Sequence, residues 1–260
     1  MDILDTFIEQ AQQNVKTGYY DKYVKPQTML KHVSLKDTLQ VRDFSLIAEI
    51  KHASPAGEYA FEFIDVQKKA QLFKENGANA ISVVVEPAIF KGKLEHITLA
   101  KQADLPVLFK DFVLDVKQIE TAANLGADCV LLIMKVMNRL DLNVNEFIDY
   151  AHELGIEVLL ECYTSDEMTA AFKTKADSLG INNRNLETLK VDLNCTEKIL
   201  KETIGEKINK PVISESGVKT KADAEFLKQQ GAKGILVGTA LWKADNLKKK
   251  IHELTLKGFE

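Results

Sequence analysis

A lysine closes the apolar run Leu105-Pro106-Val107-Leu108-Phe109-Lys110, and Asp111-Phe112 follow it. An ammonium is costly to bury unless a counter-charge or a lowered pKa accompanies it, so a lysine placed this way points to acid–base or nucleophilic chemistry. The device repeats in Ile47-Ala48-Glu49-Ile50-Lys51, Val158-Leu159-Leu160-Glu161 and Leu179-Gly180-Ile181-Asn182, each an apolar strand-like run ending on a polar group. Strand alternation puts Glu49 and Lys51 on one face with Ile47, Lys110 with Leu108, Glu161 with Leu159, and Asn182 with Gly180 and Arg184. Taken singly, each has a plain explanation: Glu49 and Lys51 as an ion pair filling a core layer, Arg184 as a brace for a loop carboxylate. Polar ends on so many strands are poor packing, and the set is better explained as one active site.

The elements that must hold these residues recur from residue 44 onward. Strand-like runs fall at 45–50, 79–85, 106–110, 128–133, 156–161, 177–182, 211–214 and 234–238, and amphipathic spacing predicts helices between them, including 64–76, 115–125, 143–154 and 220–230. Gly77, Gly126 and Gly231 each stand just past a helix end and just before the next strand, as left-handed helix caps require. Thr164 or Ser165, and Thr220, supply capping oxygens ahead of first-turn acids. Eight strands alternating with helices predict a (β/α)₈ TIM barrel, usually roughly 250 residues, with its active site at the C-terminal ends of the strands. A doubly wound open sheet is the alternative, but the first turn reads His52-Ala53-Ser54-Pro55-Ala56-Gly57 and carries no GxGxxG. Residues 1–43, with Ile3, Phe7, Ile8 and Ala11 at helical spacing and then Tyr19-Tyr20-Asp21-Lys22-Tyr23 and Pro26, form an N-terminal helical extension. No linker-like stretch divides the chain, so residues 1–260 are expected to form a single domain, with the barrel at 44–260.

Two loops carry a second signal. Ser214-Glu215-Ser216-Gly217 follows strand seven, and Val237-Gly238-Thr239-Ala240-Leu241 follows strand eight, with a short helix starting near Thr239. Small residues there let backbone N–H groups approach an anion, and these two loops are the habitual phosphate site of the barrel.

Composition fits an ordinary soluble globule: 45% hydrophobic, 28% charged, net charge −4. That charge argues against a general nucleic-acid binder. No apolar run reaches membrane-spanning length and no signal-peptide core follows the acidic start, so a cytoplasmic enzyme with no membrane association is expected. Cys129, Cys162 and Cys195 have no CxxC spacing, and His32, His52, His96, His152 and His252 form no HxH or HxxxH pair, so neither a disulfide frame nor a metal site is signalled. Lys248-Lys249-Lys250 reads as a solvated helix face.

In order along the chain, IAEIKHASPAG (47–57), ISVVVEPAIFKG (81–92), LPVLFKDF (105–112), GADCVLLI (126–133), LGIEVLLE (154–161), LGINNRNL (179–186), ISESGV (213–218) and LVGTAL (236–241) resemble the indole-3-glycerol phosphate synthase family. The most specific part is KDF, then GINNR, then SESG. The resemblance implies a carboxy-lyase of tryptophan biosynthesis. It would convert 1-(2-carboxyphenylamino)-1-deoxyribulose 5-phosphate to indole-3-glycerol phosphate by ring closure, decarboxylation and dehydration, with neither cofactor nor metal. It implies Lys110 as general acid for ring closure and Glu161 for the dehydration stage. Glu49 and Asn182 would orient groups around them, and Lys51 would hold the substrate carboxylate or phosphate or donate a second proton. Ser54, Gly217, Gly238 and Thr239 match phosphate-binding positions, Glu215, Ser216 and Arg184 match positions around the glycerol chain, and Phe90, Phe112 and Leu132 match the wall of the aromatic ring. The implied partner is a phosphorylated small molecule. A monomer is compatible with the sequence, and so is docking of another enzyme of the same pathway.

The chain departs from the family at His52 and Ala56, where a second basic residue and a serine are usual. It departs again at Val85, where threonine is frequent, and at Cys162-Tyr163, where a small apolar residue and histidine commonly follow the strand-five glutamate. Three rival functions remain: a sugar-phosphate isomerase, a Schiff-base aldolase using Lys110 as nucleophile, and a silent barrel that only binds a phosphorylated ligand.

Overall fold

The computed structural model describes residues 3–22, 31–54, 57, 59–203 and 209–256; Tyr23, Pro26 and Ala56 of the sequence reading lie outside them. Eight parallel strands close into a barrel in chain order: β1 (Ser45–Ile50), β2 (Ala80–Val84), β3 (Val107–Lys110), β4 (Cys129–Ile133), β5 (Glu157–Cys162), β6 (Ser178–Asn182), β7 (Val212–Glu215) and β8 (Gly234–Val237). Pairing of Ala48 with Val237 shuts the ring between β1 and β8. Two helices precede it, α1 (Ile3–Lys16) and α2 (Leu35–Val41), with a short 3₁₀ turn (Tyr19–Lys22) between them. Around the barrel run α3 (Val66–Glu75), α4 (His96–Lys101), α5 (Val116–Leu125), α6 (Met134–Arg139), α7 (Val144–Glu153) and α8 (Ser165–Phe172). The circuit ends with α9 (Asn194–Glu202), α10 (Lys221–Gln229), α11 (Thr239–Trp242) and α12 (Leu247–Leu254).

Strand alternation sorts the core into two clusters. Leu46, Ala48 and Ile50, with Val83, Phe109, Val130, Leu132 and Leu160, pack outward against the helices. Ile47, Leu108, Leu131, Leu159, Ile213 and Leu236 fill the barrel's inside. Helix ends follow the chemistry of their sequences: Thr164 caps α8, and Thr220 with Asp223 forms a reciprocal capping box on α10. Gly77, Gly126 and Gly231 all take positive φ.

The N-terminal segment closes the barrel at both ends. Leu4, Phe7, Ile8 and Ala11 of α1 join the inner cluster beside Phe112, at the C-terminal mouth. Leu35 and Leu39 of α2 join the same cluster from the opposite end and are fully buried. Each such leucine contributes about 1.5–3 kcal/mol by leaving water. Polar groups at the strand starts fix α2 in place. The Glu157 carboxylate accepts from the N–H groups of Leu35 (2.8 Å) and Lys36 (3.0 Å), at the positive end of the helix. Asp128 accepts from the N–H groups of Val33 (2.8 Å) and Val107 (2.7 Å) and pairs with buried Lys101 at 2.7 Å. Removing one partner of a buried pair strands the other charge. Asp128→Ala is therefore expected to lower the unfolding free energy by about 3–5 kcal/mol in urea melts, with turnover at saturating substrate changed far less than stability.

Candidate active site

The polar strand ends meet where alternation and the barrel's tilt send them. A cavity of about 630 Å³ opens at the C-terminal mouth. Lys110, Glu161, Lys51, Glu49 and Asn182 line it, together with Ser54, Phe90, Phe112, Arg184, Glu215, Ser216, Gly217, Gly238 and Thr239. Leu132 does not. It faces the helices, and Leu131 and Ile133 take the cavity side of β4 instead. The correction follows from strand parity: once Cys129 and Leu131 point inward, Leu132 must point out. A smaller correction concerns Glu215, expected just past strand seven. Pairing with Asn182 extends the ladder, so Glu215 is the last residue of β7 and holds a fixed direction.

At the centre, Lys110 Nζ lies 3.3 Å from Glu215 Oε2 and 3.6 Å from Glu161 Oε2. Burial alone would depress the Lys110 pKa, but Glu215, Glu161 and Glu49 together hold it above the ordinary lysine range, so the amine stays charged. Burial likewise favours a neutral Glu49, yet Lys51, at 2.7 Å, and Lys110 draw its pKa below the ordinary carboxylate range. Glu215 goes the other way. Burial pushes it well above that range, Glu161 beside it adds to the rise, and Lys110 only partly offsets them. The cluster thus combines a charged ammonium, an ionised carboxylate at Glu49 and a carboxyl pushed toward its protonated form.

Two glycines make room for these acids. A Cβ on Gly180 would run into Glu215 Oε1, and one on Gly238 would run into Glu49 Oε1. Asn182 Nδ2 donates to Glu161 Oε2 at 3.0 Å, and its Oδ1 accepts from the Arg184 N–H at 3.0 Å. Asn183 binds the next loop: its Nδ2 donates to Ser214 Oγ (2.8 Å), Glu215 O (2.9 Å) and Ser216 O (3.2 Å). Ser216 and Gly217, both at positive φ, then turn the chain back over the cavity.

The cavity lining is of two kinds. Phe7, Phe90 and Phe112 form a wall, with Phe7 stacked on Phe112 at 4.8 Å between ring centroids. Gly217, Gly238, Thr239 and Ser54 also line the cavity, joined by Lys219, Lys243 and Lys250. Lys250 comes from the run expected to be a solvated face; Lys248 and Lys249 are exposed, but Lys250 folds toward the cavity and donates to Lys219 O. Phe7 had only its helical spacing to mark it, and that spacing indicates burial without saying against what. Tyr163 also lines the cavity. Among the described residues, no group of three or more His, Cys, Asp or Glu side chains is arranged to hold a metal ion, and no helix is long and apolar enough to cross a membrane.

The family model described as indole-3-glycerol phosphate synthase matches residues 4–254. A protein of that name from Bacillus cereus (strain B4264) is 38% identical over 246 residues, 94% of this chain and 94% of its own length. Another from Petrotoga mobilis is 36% identical over 227 residues, covering 86% of this chain and 89% of that protein. Among solved structures, a thiamine phosphate pyrophosphorylase from Pyrococcus furiosus superposes with a TM-score of 0.60 at 20% identity, covering 85% of this chain and 96% of that one. That likeness shows the barrel fold.

The role of Gly180 is open to direct test. Gly180→Ala should fold with a near-normal Tm, because the crowded atom is the end of a side chain, while kcat falls about tenfold or more as the Glu215 carboxyl leaves its place beside Lys110. Circular dichroism melts and steady-state kinetics on the same preparation read both quantities.

Proposed function

The chain belongs to the indole-3-glycerol phosphate synthase family, carboxy-lyases of tryptophan biosynthesis, and we propose that its barrel mouth divides that reaction among the residues described above. The substrate, 1-(2-carboxyphenylamino)-1-deoxyribulose 5-phosphate, has an aromatic acid at one end and a phosphate at the other. The phenylalanine wall suits the first, and the glycine loops with Ser54 and Thr239 suit the second. Between them, Lys110 protonates the ketone oxygen as the carboxylate-bearing ring carbon attacks. Loss of CO₂ restores aromaticity. The new hydroxyl then leaves as water, with a proton supplied by an acid, while Glu161 takes the proton lost from the ring system. Lys51, tied to Glu49 at 2.7 Å, holds a substrate anion or donates a proton in the second stage. Glu215, Ser216 and Arg184 face the glycerol chain. The same reading makes this a cytoplasmic enzyme with a phosphorylated small-molecule substrate.

One observation carries the reading: Lys110, half-buried in the cavity wall, lies 3.3 Å from Glu215 and 3.6 Å from Glu161, and the acidic side chains around it hold it in its charged form. An amine in that state is a proton donor and a poor nucleophile, which favours the acid role over a Schiff-base aldolase. The decisive assay is turnover of the anthranilate-derived ribulose phosphate, followed by the rise of indole fluorescence. Lys110→Ala should lower kcat by about a hundredfold to ten-thousandfold while a substrate analogue still binds, and borohydride should leave Lys110 unlabelled in the presence of substrate. Lys51→Ala should instead raise KM more than it lowers kcat, the sign of a lost ground-state contact. Near-normal turnover by Lys110→Ala would overturn the assignment.

A further inference from the structure

Glu161 is gripped from several directions, and one of the groups is not among those assigned above. Tyr163, just beyond β5, donates its phenol O–H to Glu161 Oε1. Asn182 Nδ2 donates to Tyr163 Oη at 3.0 Å and to Glu161 Oε2 at 3.0 Å. The direction of every bond is forced. Asn182 Oδ1 accepts from the backbone N–H of Arg184, so the amide must present its Nδ2 to Tyr163 and Glu161. The phenol therefore accepts from Asn182, and its single proton is committed to Glu161. Such a chain strengthens each bond in turn. Burial, and the Glu161 carboxylate beside it, push the phenol's pKa above the ordinary tyrosine range, so the proton stays on Tyr163.

The ring is held as firmly as its hydroxyl. The backbone N–H of Tyr163 donates to Glu167 Oε2 at 2.7 Å, in the first turn of α8. Lys135 Nζ lies 5.9 Å from the ring centroid and is itself anchored to Glu187 at 2.7 Å. Here the chain carries Cys162-Tyr163 after the strand-five glutamate.

We propose that Tyr163 is a positioning residue for Glu161, engaging Oε1 so that Oε2, on the side of Lys110, is the oxygen that takes the substrate proton. The inference rests on the function proposed above and deepens it. Lys110, at 3.6 Å, and Glu215 also face this carboxylate, and deleting one hydrogen-bond donor to a carboxylate group disfavours its charged form, so the acid limb of turnover is expected to move upward when the phenol O–H is removed.

Wild-type turnover is measured first, since its absence removes the underlying reading and this inference with it. Given wild-type turnover, Tyr163→Phe keeps the ring and its neighbours but deletes the donor. Its expected signature is a kcat about tenfold lower, KM within about twofold, and the acid limb of kcat against pH moved up by about one unit. A folded variant with an unmoved acid limb overturns the proposal, whatever its kcat, because loss of packing alone would not shift that limb. A second measurement carries the opposite sign and keeps the hydroxyl: 3,5-difluorotyrosine at position 163, a stronger donor, should move the limb down. An upward or absent shift there would also overturn it.

Discussion

Everything at the mouth of this barrel turns on one ammonium. Lys110 sits among Glu161, Glu215 and Glu49, with Lys51 beside the last of these. Three acidic side chains crowd into this space, against the two ammoniums and the Arg184 guanidinium, and their mutual repulsion opposes ionising all of them. The structure relieves it at Glu215, whose carboxyl is pushed toward its neutral form by burial and by its neighbour Glu161. Like charges held this close do not all ionise together. The result is a charged ammonium and acidic side chains in different charge states packed within a few ångströms of one another.

The rest of the fold can be read as support for that cluster. The charged ends come from β1, β3, β5 and β7, alternate strands whose inward faces lie at one level of the barrel. Gly180 on β6 and Gly238 just past β8 lie between them, where any side chain would displace Glu215 or Glu49. The N-terminal segment then packs against the interior at both ends. Its first helix brings Phe7 to the aromatic wall, and its second is clamped under the barrel by Glu157 and Asp128. Stability and function are kept apart in space: the buried Lys101–Asp128 pair serves the far end, and the Lys110 cluster serves the mouth.

Residues next to the site show how near a functional position can lie to a structural one. Asn182 orients Glu161, while Asn183, pointing the other way, ties the β7 loop through Ser214 and Ser216. Likewise Lys110 faces the cavity, and the Asp111 carboxylate accepts from the Tyr20 hydroxyl, binding the extension to the end of β3. Burial lifts the Asp111 pKa to about 6, with the Tyr20 bond holding it back.

Strand periodicity, helix caps and the polar group ending each apolar run are local properties, and the sequence alone was enough to read from them eight strands, the TIM barrel and the inward faces of Glu49, Lys110, Glu161 and Asn182. Leu132 was misjudged because a fully apolar strand such as Cys129–Ile133 carries no polar residue to mark its inner face. Phe7 and Tyr163 were invisible as site residues because their partners, Phe112 and Asn182, are distant in sequence or brought in from another strand. The charge states were also beyond reach. A lysine in an apolar run predicts either a lowered pKa or a partner, and only the closing of the barrel brought three acidic side chains to Lys110 and chose the second. Local chemistry determined which residues faced inward; the through-space distances between them, which set every interaction energy, came into being only with the tertiary fold.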